Sequence, residues 1–228
     1  MLSSEIAATL RNLWKYYDKT PALKDINLMI KRNGFYFLFG PSGAGKTTLL
    51  RVMFGDEPPT KGEVVILGNN ISRLKKEKIQ LLRRRIGYVF QDFKIVPYIS
   101  VFENVAFPLR IKWASQKEIA LRVQKVLMFV GLEGKTSTLA GKLSWGEKQR
   151  VAIARAMVSE PEVIFADEPT GNLDPELSLD IVKIFEEMNK KFNTTIVLAT
   201  HSYDLISAVR KANIIRMEQG KLVEIIPK

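Results

Sequence analysis

Short apolar runs alternate with segments of helical periodicity along most of the chain. Residues 35–39, Phe-Tyr-Phe-Leu-Phe, form a continuous apolar run that ends at Gly40, as expected for a buried strand. Runs of the same kind predict further strands over 63–67, 86–90, 163–166 and 195–199. Near the end of the chain, two apolar runs on either side of Gln219-Gly220 predict a hairpin, over 213–217 and 222–226. Strands separated by helical segments indicate an α/β fold.

Between Val101 and Glu160 the pattern becomes mostly helical. Five apolar positions recur at helical spacing before Gly131, where the helix is expected to end: Leu121, Val123, Val126, Leu127 and Val130. We therefore predict one domain over 1–228, in which a helical subdomain (92–160) is inserted into a strand-rich core (1–91 and 161–228). A second stripe is expected to be core packing without a chemical role: Leu177, Ile181, Ile184, Phe185, Met188 and Phe192.

The composition excludes several classes of protein. The 228 residues contain no cysteine, so disulfides, zinc–thiolate sites and thiol catalysis are excluded. No apolar run approaches the ~20 residues of a membrane-spanning helix, and the N-terminus lacks the features of a secretory signal. The expectation is a cytoplasmic protein whose membrane role, if it has one, is peripheral.

The chain is strongly basic, with a formal net charge of +11. Such a balance favours polyanionic neighbours, which include nucleic acid, anionic lipid and nucleotide phosphates. The densest basic segment is Arg73, Lys75, Lys76, Lys78 and Arg83-Arg84-Arg85. It fits either a solvated helix face or a surface that contacts anionic lipid.

Residues 40–47, Gly-Pro-Ser-Gly-Ala-Gly-Lys-Thr, match the phosphate-binding loop of P-loop NTPases. Glycines allow the loop amides to point inwards, and the helix expected to start near Lys46 adds its positive N-terminal dipole. Lys46 should reach the β- and γ-phosphates, and the Thr47 hydroxyl should bind Mg²⁺. The complete set expected to hold the nucleotide here is Gly40, Ser42, Gly43, Ala44, Gly45, Lys46, Thr47 and Thr48.

Polar residues follow three of the predicted strands. The strand over 163–166 is followed by Asp167 and Glu168, which a parallel sheet would deliver to the edge where phosphates bind. Asp167 is then expected to hold Mg²⁺, and Glu168 to orient or deprotonate the attacking water. His201, the only histidine, is placed to reach the γ-phosphate, and Gln91 to sense Mg²⁺ or the water.

Taken together, these motifs resemble the nucleotide-binding domain of ABC transporters over about residues 5–222. Gln91 is similar to the family's Q-loop glutamine, His201 to its switch histidine, and 172–174 (Asn-Leu-Asp) to its D-loop. Residues 143–150, Leu-Ser-Trp-Gly-Glu-Lys-Gln-Arg, are similar to the signature segment. Tyr17, with Tyr16 as a near alternative, is similar to the aromatic residue that stacks on adenine.

The resemblance implies a P-loop fold with a mixed or parallel sheet core, an antiparallel β portion and an inserted helical subdomain. It implies hydrolysis of ATP with Mg²⁺ in a homodimer that forms on ATP binding. Ser144 and the Gly146 amide would then contact the γ-phosphate held by the opposite subunit, and Asp174 would belong to the same shared site. An integral membrane subunit would hold the chain on the cytoplasmic face of the inner membrane.

Within the family, the sequences of residues 40–46, 89–93, 103–109 and 166–175 are most similar to the branch that acts in cell division by signalling to cell-wall hydrolysis. The last segment is shared with the branches for lipoprotein release and efflux, which stay open as alternatives. ABC ATPases associated with DNA repair carry a long coiled coil between the two nucleotide motifs. No heptad run of that kind occurs here, so nucleic acid is not an expected partner.

One position departs from the family pattern, since Trp145 stands where the signature segment has glycine. Either the indole is tolerated because it points away from the nucleotide, or it slows closure of the dimer. A module that binds nucleotide without hydrolysing it also stays possible at this point. The resemblance further suggests a cleft beside Gln91 that accepts a helix of the membrane partner, lined by Phe93, Ile95, Val96, Pro97, Tyr98 and Phe102. The alternative is that these residues form the core of the helical subdomain itself.

Overall fold

The computed structural model describes residues 5–171 and 173–227. In chain order, its strands and helices are β1 (Ile6–Tyr17), β2 (Thr20–Lys31), β3 (Phe35–Phe39), α1 (Lys46–Phe54), β4 (Lys61–Ile66), β5 (Asn69–Asn70), α2 (Lys76–Arg83), β6 (Ile86–Val89), α3 (Val101–Ile111), α4 (Gln116–Phe129), α5 (Trp145–Met157), β7 (Val163–Asp167), α6 (Pro175–Phe192), β8 (Thr195–Thr200), α7 (Tyr203–Ala208), β9 (Asn213–Glu218) and β10 (Lys221–Ile226).

A six-stranded sheet forms the centre of the fold, in the order β10-β9-β3-β8-β7-β6. All neighbours are parallel except the hairpin of β9 and β10. The side chains of β3 divide two apolar cores: Phe35 and Phe37 face the layer that contains α3–α6, while Tyr36 and Leu38 face α1 and the second sheet. Because both faces are covered, the central strands are continuously apolar. The α/β prediction is confirmed.

The register of the central strands brings their carboxyl ends to one edge. Phe39 is paired with Thr200, and Asp167 with Ala199. Gly40, Glu168 and His201, the residues that follow these three strands, therefore leave the sheet at the same edge, where ligands bind in parallel α/β sheets.

The second sheet is antiparallel, in the order β2-β1-β4-β5. Its two twelve-residue strands, β1 and β2, were not predicted individually from the pattern. Their pairing shifts register between Leu10 and Leu13, and Asn12 and Asp25 have left-handed backbones, with φ of 45° and 51°. These irregularities interrupt the alternation by which a half-buried strand is recognised.

Helices α3, α4 and α5 lie consecutively between β6 and β7 and share a core with α6. In α4, Leu121 is 68% exposed, while the other four positions of its stripe are buried. In α6, the expectation of core packing is wrong for the two ends of the stripe, since Leu177 and Phe192 are 37% and 42% exposed. The four residues between them are buried in the core that α6 shares with α3–α5.

The predicted cleft beside Gln91 is also wrong in its residues. Phe93 is buried, Ile95 and Phe102 pack against the core, and Tyr98 is 86% exposed. A groove of about 460 Å³ does lie next to this segment, but other residues line it, among them Phe90, Lys94, Phe107, Ile111 and Lys112. Among the described helices, none combines the length and apolarity needed to cross a bilayer.

Candidate nucleotide-binding site

A cavity of about 530 Å³ opens at the carboxyl edge of the central sheet. The loop between β3 and α1 forms its floor, and Gln91 and Glu168 face it from the neighbouring strand ends. Two further segments that were not expected from the sequence complete it, one from Thr20 to Lys24 at the start of β2 and one at Gln219-Gly220. The predicted residues that line the cavity are Ser42, Gly43, Ala44, Gly45, Lys46, Thr47, Thr48, Gln91 and Glu168.

The shape of the phosphate-binding loop depends on its glycines. Gly45 has φ of 100°, and a Cβ there would lie 2.8 Å from the carbonyl oxygen of Ala22. At Gly40, a Cβ would lie 2.2 Å from the carbonyl oxygen of Met217. Any other residue at either position would push the loop away from the strands that support it, so the curvature of the loop is fixed by close packing as well as by backbone conformation.

The Lys46 side chain lies beneath this loop and is only 4% exposed. Its ammonium donates to the carbonyl oxygens of Gly40 and Pro41, at 2.8 and 3.0 Å. It also lies 3.1 Å from Oε1 of Glu168. A buried cation of this kind requires compensating oxygens, and phosphate oxygens can supply the same compensation.

Thr47 and Asp167 meet directly. The Thr47 hydroxyl donates to Oδ1 of Asp167 over 2.9 Å, and the Tyr88 hydroxyl lies 3.4 Å from Oδ2. Burial raises the pKa of Asp167, although the hydrogen bond from Thr47 opposes the change. Tyr88 was not singled out from the sequence, because nothing in an apolar strand marks one aromatic hydroxyl as a partner of a distant carboxylate.

Glu168 connects the loop to the end of β8. Its Oε2 lies 3.3 Å from Nδ1 of His201, while its Oε1 faces Lys46. The backbone of Glu168 has φ of 44°, which is uncommon for residues other than glycine, asparagine and aspartate. Such strained conformations cluster at functional sites. The Glu168 amide donates to the carbonyl of Ala199, which fixes the turn. His201 itself lies in an adjoining cavity that also contacts Glu168.

Tyr17 lies outside the cavity, at the end of β1, but close to the Thr48 side chain. Its hydroxyl donates to Oε2 of Glu57 over 2.5 Å. The same carboxylate lies 3.2 Å from Nζ of Lys15 and 3.6 Å from Nη1 of Arg51. The ring of Tyr16, by contrast, stacks on Trp14.

Glu57 therefore orients Tyr17, a role that the sequence analysis missed. Burial alone would raise the pKa of Glu57, but the hydrogen bonds from Tyr17 and Lys15 and the nearby cationic charges lower it below its ordinary value. The carboxylate is thus ionised and accepts the tyrosine hydroxyl. A single glutamate 40 residues away along the chain carries no local signal of this contact.

Ser144, Gly146 and Asp174 are not among the residues that line the phosphate cavity. Ser144 caps α5 in a capping box with Glu147, and Asp174 caps α6 by accepting from the amide of Leu177. A Cβ at Gly146 would be in ordinary contact with Leu177, at 3.5 Å. Asn172, the first residue of the expected D-loop, lies outside the described residues.

Trp145 is the first residue of α5 and is 55% exposed. Its ring packs edge-on against Phe93, with 5.0 Å between ring centroids and an interplanar angle of 61°. Phe93 is buried and lies two residues after Gln91. The indole therefore contacts the segment after β6 in its own subunit, while the cap at Ser144 keeps ordinary geometry.

The polar groups that line the cavity fit a nucleoside triphosphate. A buried ammonium, a glycine loop and the N-terminus of α1 are the groups that bind phosphate oxygens. Thr47 and Asp167 provide only oxygen atoms, as Mg²⁺ prefers, and no cluster of three acidic or histidine side chains lies elsewhere in residues 5–171 and 173–227. A site with so few protein ligands suits a cation that is bound together with phosphates.

Comparison with known proteins places these features in a family. The ABC transporter family profile matches residues 23–171. The cell division ATP-binding protein FtsE of Bacillus subtilis (strain 168) is 41% identical over 215 residues, which cover 94% of this chain and 93% of that protein. FtsE of Mycobacterium tuberculosis is 43% identical over 217 residues and covers 94% of both chains.

A solved structure supports the same family. The dimeric structure of the ATP-binding cassette MJ0796, in a post-hydrolysis state bound to ADP and Pi, superimposes with a TM-score of 0.88 at 33% identity. The superposition covers 96% of this chain and 98% of that one. Both the sequence and the architecture thus agree with the site geometry, and this chain belongs to the ABC transporter family as one of its ATP-binding, ATP-hydrolysing domains.

Proposed function

We propose that this chain is the ATPase of an FtsE-like cell-division complex, in which two copies close around ATP and act on an integral membrane subunit of the FtsX type. The similarity that supports this branch is the match to FtsE proteins at 41% and 43% identity over 94% of the chain. The geometry that carries the ATPase part is the cavity lined by Lys46, Thr47 and Glu168, in which Thr47 is hydrogen-bonded to the buried Asp167.

In this proposal the phosphate loop and Lys46 hold the β- and γ-phosphates, with Ser42, Thr47 and Thr48 as further donors. Thr47 and Asp167 would hold Mg²⁺ and Gln91 would sense it; the metal would supply positive charge that offsets the charge of the phosphates. Glu168 accepts a proton as water attacks the γ-phosphorus and the bond to the β-phosphate oxygen breaks. His201, which lies 3.3 Å from Glu168, contacts the same γ-phosphate. Tyr17 stacks on adenine.

In the proposed dimer, the second copy supplies further contacts to the γ-phosphate. Ser144 is exposed at the N-terminus of α5, where the first amides have no partner within the helix and the dipole favours an anion. We propose that Ser144 and the Gly146 amide contact the γ-phosphate held by the other copy, with Asp174 in the same interface. ATP would then favour the closed dimer because it adds contacts that exist only there.

The helical segment 92–160 is proposed to act as a subdomain that carries this signal to the membrane partner. The groove beside Phe90, with exposed Phe107 and Ile111 on its wall, has the apolar character that an amphipathic helix requires. A location on the cytoplasmic face of the inner membrane follows from that partner.

Substitution of Glu168 by Gln tests the ATPase mechanism. The amide keeps the shape of the side chain but cannot take a proton, so phosphate release should fall by about 10²- to 10⁴-fold while ATP binding persists. Light scattering should then show an ATP-dependent dimer. Glu187→Gln on the exposed face of α6 is the matched control and should behave as the unmodified protein. Brisk turnover by Glu168→Gln would contradict the assignment.

Purification from membranes tests whether the chain belongs to the cell-division branch of the family. An FtsX-type subunit, identified by mass spectrometry, is the expected companion, and its recovery should fall with Phe107→Ala while ATP binding is unchanged. Recovery of a lipoprotein-release or efflux permease in its place would overturn the cell-division assignment but would leave the ATPase chemistry intact.

A further inference from the structure

One surface of the domain concentrates positive charge that forms no ion pairs with carboxylates of the described residues. It is formed by α2, the residues that flank it, and the turn after α3, and we call it the basic surface. Its cations are Arg73, Lys75, Lys76, Lys78, Arg84 and Lys112. In the part of the chain that the structure describes, none of these six forms an ion pair, whereas the adjacent Arg83 and Arg85 are paired with Asp56 and Glu162. Glu77 is the only carboxylate within α2.

The turn after α3 holds an indole away from the protein. Trp113 is 90% exposed, and it has φ of 60°, a conformation that is strained for a bulky residue. Backbone hydrogen bonds from Lys112 and Ala114 to the Leu109 carbonyl fix the turn, at 3.1 and 3.2 Å. The exposed ring buries almost no area in the fold, so packing within this domain does not account for a tryptophan at this position.

The indole and the cations belong to one surface. The Lys112 ammonium donates to the carbonyl oxygen of Arg84 over 2.8 Å, which ties the turn after α3 to the end of α2. Burial and the neighbouring charges of Arg122 and Arg84 lower the pKa of Lys112, although the carboxylate of Glu160 opposes the change. Three apolar side chains are exposed beside this junction, namely Leu81 on α2 and Phe107 and Ile111 on α3.

This combination matches the interface of an anionic bilayer. Lysine and arginine near such a surface are attracted to headgroup charge, and tryptophan prefers the headgroup level, where its ring is partly dehydrated and its N–H still finds partners. A nucleic acid would use the cations, and its bases could stack on the indole, but it offers no apolar partner for the exposed side chain of Leu81, which lies outside the groove beside Phe90. A merely solvated helix face would not explain an indole exposed on an ordered turn.

We propose that the basic surface binds the headgroups of an anionic lipid bilayer directly, with Trp113 inserted at headgroup level. Arg84 and Lys112 also line the groove beside Phe90, so a partner helix seated there and the lipid surface would lie on the same side of the domain. That orientation rests on the proposed function. The charge and the exposed indole do not, and the bilayer contact would add a second, weaker attachment to the one made through the membrane subunit.

Vesicle flotation tests the contact without any membrane protein. The purified chain should float with vesicles of phosphatidylcholine and phosphatidylglycerol (about 7:3) at low salt, and not with phosphatidylcholine alone, because screening and headgroup charge control the attraction. The triple variant Lys76→Gln, Lys78→Gln, Arg84→Gln should lower the partition coefficient by about tenfold or more. The triple variant Lys183→Gln, Lys190→Gln, Lys211→Gln loses the same charge elsewhere and should retain binding.

Tryptophan emission tests the insertion. Anionic vesicles should shift the emission of the unmodified protein to shorter wavelength, and Trp113→Phe, which leaves Trp14 and Trp145 in place, should abolish the shift. Unchanged phosphate release by each variant without vesicles would establish that the fold is intact. Equal losses in the two triple variants, a shift that survives Trp113→Phe, or preferential binding to a DNA duplex in competition with the vesicles would each overturn the proposal. If these tests failed, the proposed function would still stand, because copurification with a permease tests it independently.

Discussion

The Nζ of Lys46 lies 3.1 Å from Oε1 of Glu168. The cation that is expected to hold phosphate and the carboxylate that is expected to activate water are therefore partners within one subunit. A triphosphate in the cavity competes for the same ammonium protons, because its oxygens offer more negative charge than a single carboxylate. Binding of substrate would thus release the carboxylate for its reaction with water.

Replacement of Lys46 by Ala should remove this exchange. Charge-assisted hydrogen bonds contribute about 1.5–3 kcal/mol, so ATP affinity should fall by roughly 10- to 150-fold. Equilibrium binding of a fluorescent ATP analogue would measure the loss. Lys183→Ala on the surface of α6 is the control. Equal affinity in both variants would refute the role of the buried lysine and, with it, the site.

Asp167→Asn should stabilise the fold while it abolishes hydrolysis. Burial raises the pKa of Asp167 above its unfolded value, so the ionised carboxylate costs stability at neutral pH. The amide keeps an acceptor for Thr47 and removes the charge, and the melting temperature at pH 7 should rise by about 2–4 °C.

The pH dependence provides the check on Asp167. As the pH falls through the raised pKa, the carboxyl becomes neutral in the folded protein and its cost disappears. The difference in melting temperature between the two proteins should therefore shrink towards acid pH. A difference that is constant from neutral to acid pH would show that the charge of Asp167 is not its cause.

Glu57→Ala should weaken nucleotide binding through Tyr17. Loss of the hydrogen bond leaves the ring free to rotate, and an aromatic stacking contact is worth about 0.5–1.5 kcal/mol, so affinity for ATP should fall by about 2- to 12-fold. Tyr17→Ala should have a similar effect, and the double variant should lose no more than either single variant, because both act on one contact.

Two neighbours serve as controls for the Tyr17 prediction. Asp56→Ala lies beside Glu57 but pairs with Arg83, and the ring of Tyr16 stacks on Trp14. Neither Asp56→Ala nor Tyr16→Ala should change the affinity. A loss confined to Tyr16→Ala would transfer the adenine contact to that residue.

Trp145→Gly should lower stability without raising turnover. The indole packs on Phe93 of its own subunit, and loss of that pair together with the added freedom of glycine should cost about 1–2 kcal/mol in the free energy of unfolding. Trp145→Phe, which retains a ring, should lose less. A clear rise in phosphate release by the glycine variant would show instead that the indole slows dimer closure.

The chemical identity of the nucleotide site could be predicted from the sequence because its parts are local. A glycine loop between an apolar strand and a helix, and polar residues directly after buried strands, are fixed by neighbours in the chain. Parallel pairing then brings Gly40, Glu168 and His201 to one edge, as the register confirms. The family and the α/β fold followed from these same residues.

Other features depended on contacts between distant segments. Three of these contacts join residues that lie 40 to 79 positions apart in the chain. They are the hydrogen bonds of Tyr17 with Glu57 and of Tyr88 with Asp167, and the ring contact of Phe93 with Trp145. The lining of the groove beside Phe90 and the exposure of Leu121 likewise depend on which helix faces are covered. The sequence by itself determined which groups can bind and cleave a triphosphate, since that chemistry depends on residue type and local spacing. Only the tertiary structure decided which side chains hold those groups in place and which remain exposed to partners, since burial and long-range contacts are properties of the packed chain as a whole.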